Sequence, residues 1–488
     1  MLKNKSAAVL AFDFGASTGR AIKAYFDGAE LKYEEIHRFE NVPLQKDGHL
    51  YWDIESFMRE IRIAVKKAGN FDSLAFDTWG VDFGLLDEKG ELLENPVHYR
   101  DERTNGWCSR VEGIIPREEL YERTGNQIME INTLFQLMAL KEENPKLLEK
   151  AKQLLFLPDL FAYLLGAKPV CEETIASTSQ MLNPKTRQWE SGLLQKLGIK
   201  ESLFLPPVKS GTVIGTLSGG QKIIAVAGHD TQCAVAAVSD TNQDRKARAF
   251  LSCGTWSLLG TETETPVLTE ESCQKGLSNE LGADGKINYL KNIVGLWLIQ
   301  ECRRQYMREG CEYSFSQLAE LADGEAQFLC FIDPDAPEFA TPGDIPRRIQ
   351  KFCERTGQNV PQTIGQTVRC IYESLALKYR FALEQIQKMT GQEIKVLHIL
   401  GGGANAKLLC QMTADACHVT VKAGPVEATA LGNIILQLQA LGMLDNLEEG
   451  KALIARTEKI KEYYPKEKEK NAWEAAYKNF ILLMGKEK

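Results

Sequence analysis

An α/β chain of two domains is what this sequence predicts, and three observations carry that expectation. The first is Ala8–Arg20, AVLAFDFGASTGR. An apolar run of strand length delivers Asp13 at its end, Gly15, Ala16, Ser17, Thr18 and Gly19 make a small-residue turn, and Arg20 opens a second apolar alternation. Such a turn lets backbone N–H groups approach an anion, because glycine carries no Cβ and hydroxyls also donate. A carboxylate beside a phosphate cradle points to a divalent cation between them, although a plain β-hairpin explains the same residues. The second observation is that the plan returns about half a chain later. In Ala249–Gly260, AFLSCGTWSLLG, an apolar strand is followed by Ser252, Gly254 and Thr255 in a tight turn and by another apolar strand. A duplicated pair, with phosphate turns facing each other across a cleft, is the expectation. The third is length: 488 residues exceed what one hydrophobic core serves.

Taken in order, the Asp27-Gly28 turn and the run Leu31–Val42 continue a β-meander that ends near Asp47-Gly48. Asp53 reads as a helix N-cap, and Ile54, Phe57, Met58, Ile61, Ala64 and Val65 follow at helical spacing up to Gly69. A strand over Ser73–Phe76 comes next, so meander, helix and strand together mark an α/β domain rather than an all-β one. From Pro116 to about Gly198 the pattern is mostly helical, with caps and breaks at Asn144-Pro145, Leu157-Pro158 and Asn183-Pro184. Lys222–Ala227 is a strand, Gly228-His229-Asp230-Thr231 a turn, and a helix starts at Cys233. The polar stretch Ser239–Lys246 is the expected divide, giving domains 1–245 and 246–488. Beyond it, Asn288–Met307 shows helical spacing, with Asn292 and Gln300 on its polar side. A longer helix is expected over Gln362–Met389, a strand over Lys395–Leu400 emptying into Gly401-Gly402-Gly403, a short strand over Val419–Ala423 and a charged helix from Lys466.

Composition narrows the function classes. A hydrophobic share of 44% and a charged share of 25% are those of an ordinary folded chain, which rules out dominant disorder. A net charge of −8 argues against a general nucleic-acid or membrane-surface binder. No apolar run approaches the roughly 20 residues of a membrane span, and Asp13 cuts the N-terminal one short of a signal h-region. The 12 cysteines are scattered without a C-x-x-C pair, as in a cytoplasmic chain that uses thiols as small hydrophobes. Cys353 and Cys370 pair only if the fold brings them together.

Several motifs are set aside. Asp13-Phe14-Gly15 and Asp82-Phe83-Gly84 spell the protein-kinase magnesium tripeptide without its companion H-R-D or V-A-I-K segments. No G-x-x-x-x-G-K-[ST] loop exists, and Gly401–Gly403 lacks dinucleotide-fold spacing. Asp230 reads two ways: a rigidly held carboxylate facing a cleft where a strand meets a helix, or an ordinary helix N-cap. His229 reads as a packed or orienting histidine, and His398 as structural. The glycine run, between a strand and a helix, suits close approach to a base or phosphate or a simple turn. Tyr99–Gly106, YRDERTNG, reads as a lining for a hydroxyl-rich ligand or as a solvated loop.

Together DFGASTGR, DTWGVDF, YRDERTNG, GHDT, SCGTWSLLG, KNIVGLWLIQE, LGGGAN and AGPVEATALGN resemble the FGGY family of carbohydrate kinases, in family order through nearly the whole chain. The resemblance implies two actin- and hexokinase-type (ribonuclease H-like) domains around a central cleft, each a five-stranded mixed sheet with flanking helices, closing on sugar and ATP. It implies Asp230 as proton acceptor. It implies that Ala16, Ser17, Thr18, Gly19, Arg20, Thr255, Gln300 and Gly402 meet the nucleotide. Asp13 would stand near Mg2+, and Gly80, His229, Asp230, Thr231 and Asn292 would contact the ketose. The implied reaction moves the γ-phosphoryl of MgATP to the 1-hydroxyl of L-rhamnulose. Sister activities on xylulose, fuculose or glycerol are the nearest rivals. A sugar sensor is disfavoured by the lack of a basic helix-turn-helix before the first strand, and an actin-like ATPase has no use for the Tyr99–Asn105 cluster.

Overall fold

Ala7–Phe14 (β1) and Thr18–Phe26 (β2) form an antiparallel hairpin in which Asp13 faces Arg20 and Phe14 faces Gly19. Leu31–Glu40 (β3) extends it after the Asp27-Gly28 turn, where Gly28 takes a φ of 98° that only glycine adopts freely. Ile54–Ala68 (α1) follows, capped by Asp53, whose carboxylate accepts from Ser56 N at 2.9 Å. Its residues Ile54, Phe57, Met58, Ile61 and Ala64 are buried against Leu10, Phe12, Phe14 and Phe76. Each such large side chain contributes about 1.5–3 kcal/mol by leaving water. The structure, a computed structural model, describes residues 6–238 and 247–486. The expected divide at 239–246 lies outside the described residues.

Packing sorts the chain into two compact units, the first made of Met1–Thr241, Glu262–Tyr289 and Ala428–Glu458, the second of Asn242–Thr261, Leu290–Glu427 and Lys459–Lys488. In the first, strands run in the order Thr212–Thr216, Lys222–Ala225, Ser73–Thr78, β1, β2, β3. Ser73–Thr78 lies parallel to both β1 and Lys222–Ala225, and the outer pairings are antiparallel. The sheet is mixed, as the resemblance implied, but among the described residues has six strands rather than five. A second core in the same unit gathers Trp107, from the short helix Trp107–Glu112, with Leu134, Phe135, Phe156 and Leu193 from the passage after Pro116. There Asn144-Pro145 and Leu157-Pro158 are helix starts, proline being tolerated where the N–H lacks an intrahelical partner. Gln153–Phe156, expected as helix, is a strand paired with Phe83–Leu86.

In the second unit Arg248–Cys253, Val396–Leu400, Thr420–Ala423 and Lys461–Tyr463 lie side by side in that order, part of a sheet that has seven strands among the described residues, again more than five. Arg248–Cys253 lies parallel to Val396–Leu400, which lies parallel to Thr420–Ala423. The long helix spans Ile364–Thr390 and the last one Lys470–Lys486. The helix expected over Asn288–Met307 is corrected: Ile287–Val294 is a strand, and the helix begins at Trp297. Four of its first residues are fully buried, so burial on both faces hid the strand period, and Gly295 breaks the run. Cys353 and Cys370 are free, buried thiols. Among the described residues no helix is long and apolar enough to cross a membrane.

Candidate active site

In the first unit the polar residues collect at the carboxyl ends of the parallel strands, where the backbone opens into loops. β1 ends at Asp13-Phe14, and its parallel neighbour carries Asp77 in register with Asp13 and Thr78 with Phe14. Thr78 in turn bridges to His229, and its N–H donates to Gly228 O at 2.9 Å. Asp13, Asp77 and the Gly228–Thr231 turn are thereby gathered at one sheet edge. Asp230 is the first residue of the helix Asp230–Ala236, whose N-cap is His229. The N-cap reading of Asp230 is therefore corrected: its Oδ1 accepts from its neighbour Thr231, from N at 2.6 Å and Oγ1 at 3.3 Å. The helix starts three residues earlier than Cys233.

The charges at this edge are tightly set. Asp13 Oδ2 accepts from Arg20 Nη2 at 2.7 Å and Nε at 3.1 Å. Asp77 is fully buried, and burial first, then the charge of Asp13, pushes its carboxyl well above the ordinary range. Asn433 Nδ2 donates to Asp77 Oδ2 at 2.7 Å, whereas Oδ1 has no partner among the described residues. The Asp230 carboxyl is pushed up to about 6, mainly by burial, with His229 opposing and Asp13 adding to the rise.

The turn of the first hairpin is held by Gly15 N to Thr18 O at 2.9 Å and by Asn41 N to Ser17 O at 3.0 Å. A Cβ on Gly19 would stand 2.3 Å from the Phe39 ring, so that glycine is required by packing, whereas Ser17 stays exposed at the tip. Gly80 sits in the Trp79–Asp82 loop against Thr178, 3.1 Å from where its Cβ would be. Its neighbour Val81 holds a φ of 70°, strained for a β-branched residue. The loop is over-determined: Val81 N donates to Thr178 Oγ1, Thr133 Oγ1 donates to Val81 O, and Asp82 accepts from Trp52 and Trp79 indoles, Gln136 Nε2 and Tyr99 N.

Sequence reasoning missed the partners that fix the Gly228–Thr231 turn. Glu172 Oε2 accepts from Gly228 N at 2.9 Å and from Thr174 Oγ1 at 2.6 Å, and Thr174 Oγ1 accepts from His229 N. Glu280 Oε2 stands 2.9 Å from His229 Nδ1 and accepts from Gln232 Nε2 at 2.7 Å. Neither stood out in the sequence, Glu172 lying next to Glu173-Thr174 and Glu280 next to Ser278-Asn279. In the polar cluster, Asp101 accepts from Leu50 N at 2.7 Å and Arg103 N at 3.0 Å and sits 3.0 Å from His49, so it is structural. Asp101 and Thr104 are buried, so the solvated-loop reading does not hold for them.

The second unit holds the other expected residues. Thr255 lies in the turn between Arg248–Cys253 and Trp256–Thr263, and its Oγ1 donates to Gln300 Oε1 at 3.4 Å. Thr255 O accepts from Gly295 N and Trp297 N, which ties the turn to the helix start. A Cβ on Gly295 would come 2.5 Å from Ser257 Oγ, so this close approach needs glycine. Asn292 lies on the strand Ile287–Val294 rather than on the helix of Gln300. Gly403 packs on Cys253, 2.2 Å from Sγ to a would-be Cβ, while Gly402 beside it faces open space. Cys253, for which no role was expected, is thus the floor under the glycine run.

The model for the FGGY family of carbohydrate kinases, N-terminal domain, matches residues 8–243, and that for its C-terminal domain matches residues 249–441. This chain belongs to the FGGY family of carbohydrate kinases. It is 42% identical to a rhamnulokinase of Bacteroides thetaiotaomicron over 483 residues, 96% of this chain and 98% of the relative. It is 42% identical to one of Enterococcus faecalis, covering 91% of this chain and 92% of the relative, and 36% to one of Bacillus subtilis, covering 97% and 98%. Among solved structures, a xylulose kinase from Lactobacillus acidophilus aligns with a TM-score of 0.80 at 16% identity, over 98% of both chains. A Plasmodium falciparum glycerol kinase with ADP aligns at 0.75 and 15%, over 97% of both. At that identity the structures speak for the fold alone, the two-domain actin- and hexokinase-type α/β architecture. An FGGY carbohydrate kinase takes ATP as its phosphoryl donor.

Proposed function

We propose that this FGGY kinase transfers the γ-phosphoryl of MgATP to the 1-hydroxyl of L-rhamnulose. The observation that supports the sugar is identity of 36–42% to relatives named rhamnulokinase over almost the whole chain. Asp230 acts as proton acceptor: its carboxyl, held near pH 6 and anchored by Thr231, is ionised at neutral pH and takes the hydroxyl proton as attack proceeds. Gly80, His229, Thr231 and Asn292 hold the ketose. The hairpin turn Ala16–Arg20 and Thr255, Gln300 and Gly402 hold the nucleotide.

Phosphoryl transfer asks chiefly for positioning and charge neutralisation, so a few fixed groups suffice. The residues fit a magnesium ion: Asp13 offers hard oxygens, and the buried Oδ1 of Asp77, in register beside it, is a polar atom without a partner among the described residues. Bound there with ATP, the ion would neutralise developing phosphate charge. Arg20, now on Asp13, carries a guanidinium suited to bidentate phosphate contact. The sugar rivals are xylulose, fuculose and glycerol. ADP release measured across these sugars tests the assignment: preference for L-rhamnulose by at least tenfold in kcat/KM is expected, and an equal or greater value for another acceptor overturns it.

A further inference from the structure

His229 stands between two carboxylates of the first unit. Its Nδ1 is 2.9 Å from Glu280 Oε2 and its Nε2 is 3.4 Å from Asp230 Oδ1. The ring and Glu280 are both buried, 7% and 4% exposed, so water screens little of this contact. The approach to Glu280 is an ion-pair contact rather than an aligned hydrogen bond. Glu280 lies on the strand Ser278–Leu281 and is itself braced, since Gln232 Nε2 donates to the same Oε2 and Asn288 Nδ2 donates to Gln232 Oε1. A buried carboxylate so close to an imidazole favours the imidazolium.

We propose that Glu280 is a positioning residue for phosphoryl transfer: its carboxylate holds His229 as an imidazolium, which presents positive charge to Asp230 and keeps that carboxylate ionised. The inference rests on Asp230 being the proton acceptor. The groups facing this chain of charges are few. Burial opposes the His229 charge, but Glu280, Asp230 and Glu172 outweigh it and raise its pKa. Asp230 also feels Asp13, and Asp77 feels Asp230. Neutralising Glu280 lets His229 lose its proton, and Asp230 then loses the cation beside it. Its carboxyl rises further. The proton balance is unchanged: the sugar hydroxyl proton still ends on Asp230.

The test is Glu280→Gln, isosteric and able to keep the bond from Gln232, assayed as kcat/KM for L-rhamnulose against pH. The acid limb is expected to move up by about one unit, giving activity about fivefold lower at pH 6 and little changed at pH 8. A defect equal at every pH, or none, in the folded variant overturns the proposal. Should the variant not fold, the imidazole titration of His229 in the unmodified protein decides, read by nitrogen-labelled histidine NMR and identified with His229→Gln. Protonation persisting above pH 6.5 supports the role of Glu280, and loss at or below 6.5 overturns it. Full turnover in Asp230→Asn would instead remove the base assignment while leaving the His229 titration readable.

Discussion

Arg20 clamps Asp13 across the first hairpin, Nη2 and Nε both on Oδ2 at 2.7 and 3.1 Å. The pair sits in antiparallel register, so a β-sheet places guanidinium and carboxylate together without a tertiary contact. Replacing Arg20 by Gln is expected to leave the strand intact and, on the proposed reading, to remove a bidentate phosphate contact. MgATP affinity by calorimetry is expected to fall roughly tenfold or more, at about 1.5–3 kcal/mol for a charged hydrogen bond, with sugar affinity unchanged. Unaltered ATP affinity would take Arg20 out of the nucleotide site.

Asp230→Asn keeps the shape and the acceptor for Thr231 but cannot take a proton. Turnover is expected to drop by ~10² to 10⁴ while both substrates still bind. A coupled ADP assay and calorimetry on the same preparation check it.

The pH dependence follows from the Asp230 carboxyl being pushed up to about 6. The active form is ionised, so kcat/KM should be level above about pH 7 and fall about tenfold per unit well below 6. An acid limb centred at 4, that of an ordinary carboxylate, would show that the Asp230 carboxyl is not raised.

Gly432, on the helix Ala428–Ala440, faces the backbone of the helix that begins with Asp230. A Cβ there would lie 1.8 Å from Cys233 O. Backbone cannot swing aside as a side chain can, so Gly432→Ala should cost at least about 1–3 kcal/mol. A melting temperature lower by several degrees is expected, with turnover falling as the helix shifts. An unchanged melting curve would show that the two helices separate freely.

Much of the fold was legible because local signals suffice for hairpins and caps. Asp53 before a 3.6-residue pattern, and Asp47-Gly48 with φ values of 52° and 87°, are such signals. Ile287–Val294 was misread because burial on both faces erases the period-two alternation. The helix start at Asp230 was missed because a capping residue is recognised by its side chain, and here His229 caps without a side-chain bond.

What the sequence by itself determined was the pair of strand-turn-strand units, the carboxylates at strand ends and the family they belong to, since these depend on short-range order along the chain. What only the tertiary structure decided was the company those carboxylates keep. Glu280 beside His229, Asn433 on Asp77 and Glu172 under Gly228 join residues 51, 356 and 56 positions apart, and no local pattern encodes such meetings. They arise when apolar burial brings distant strands together and each buried charge must find a partner where it lands.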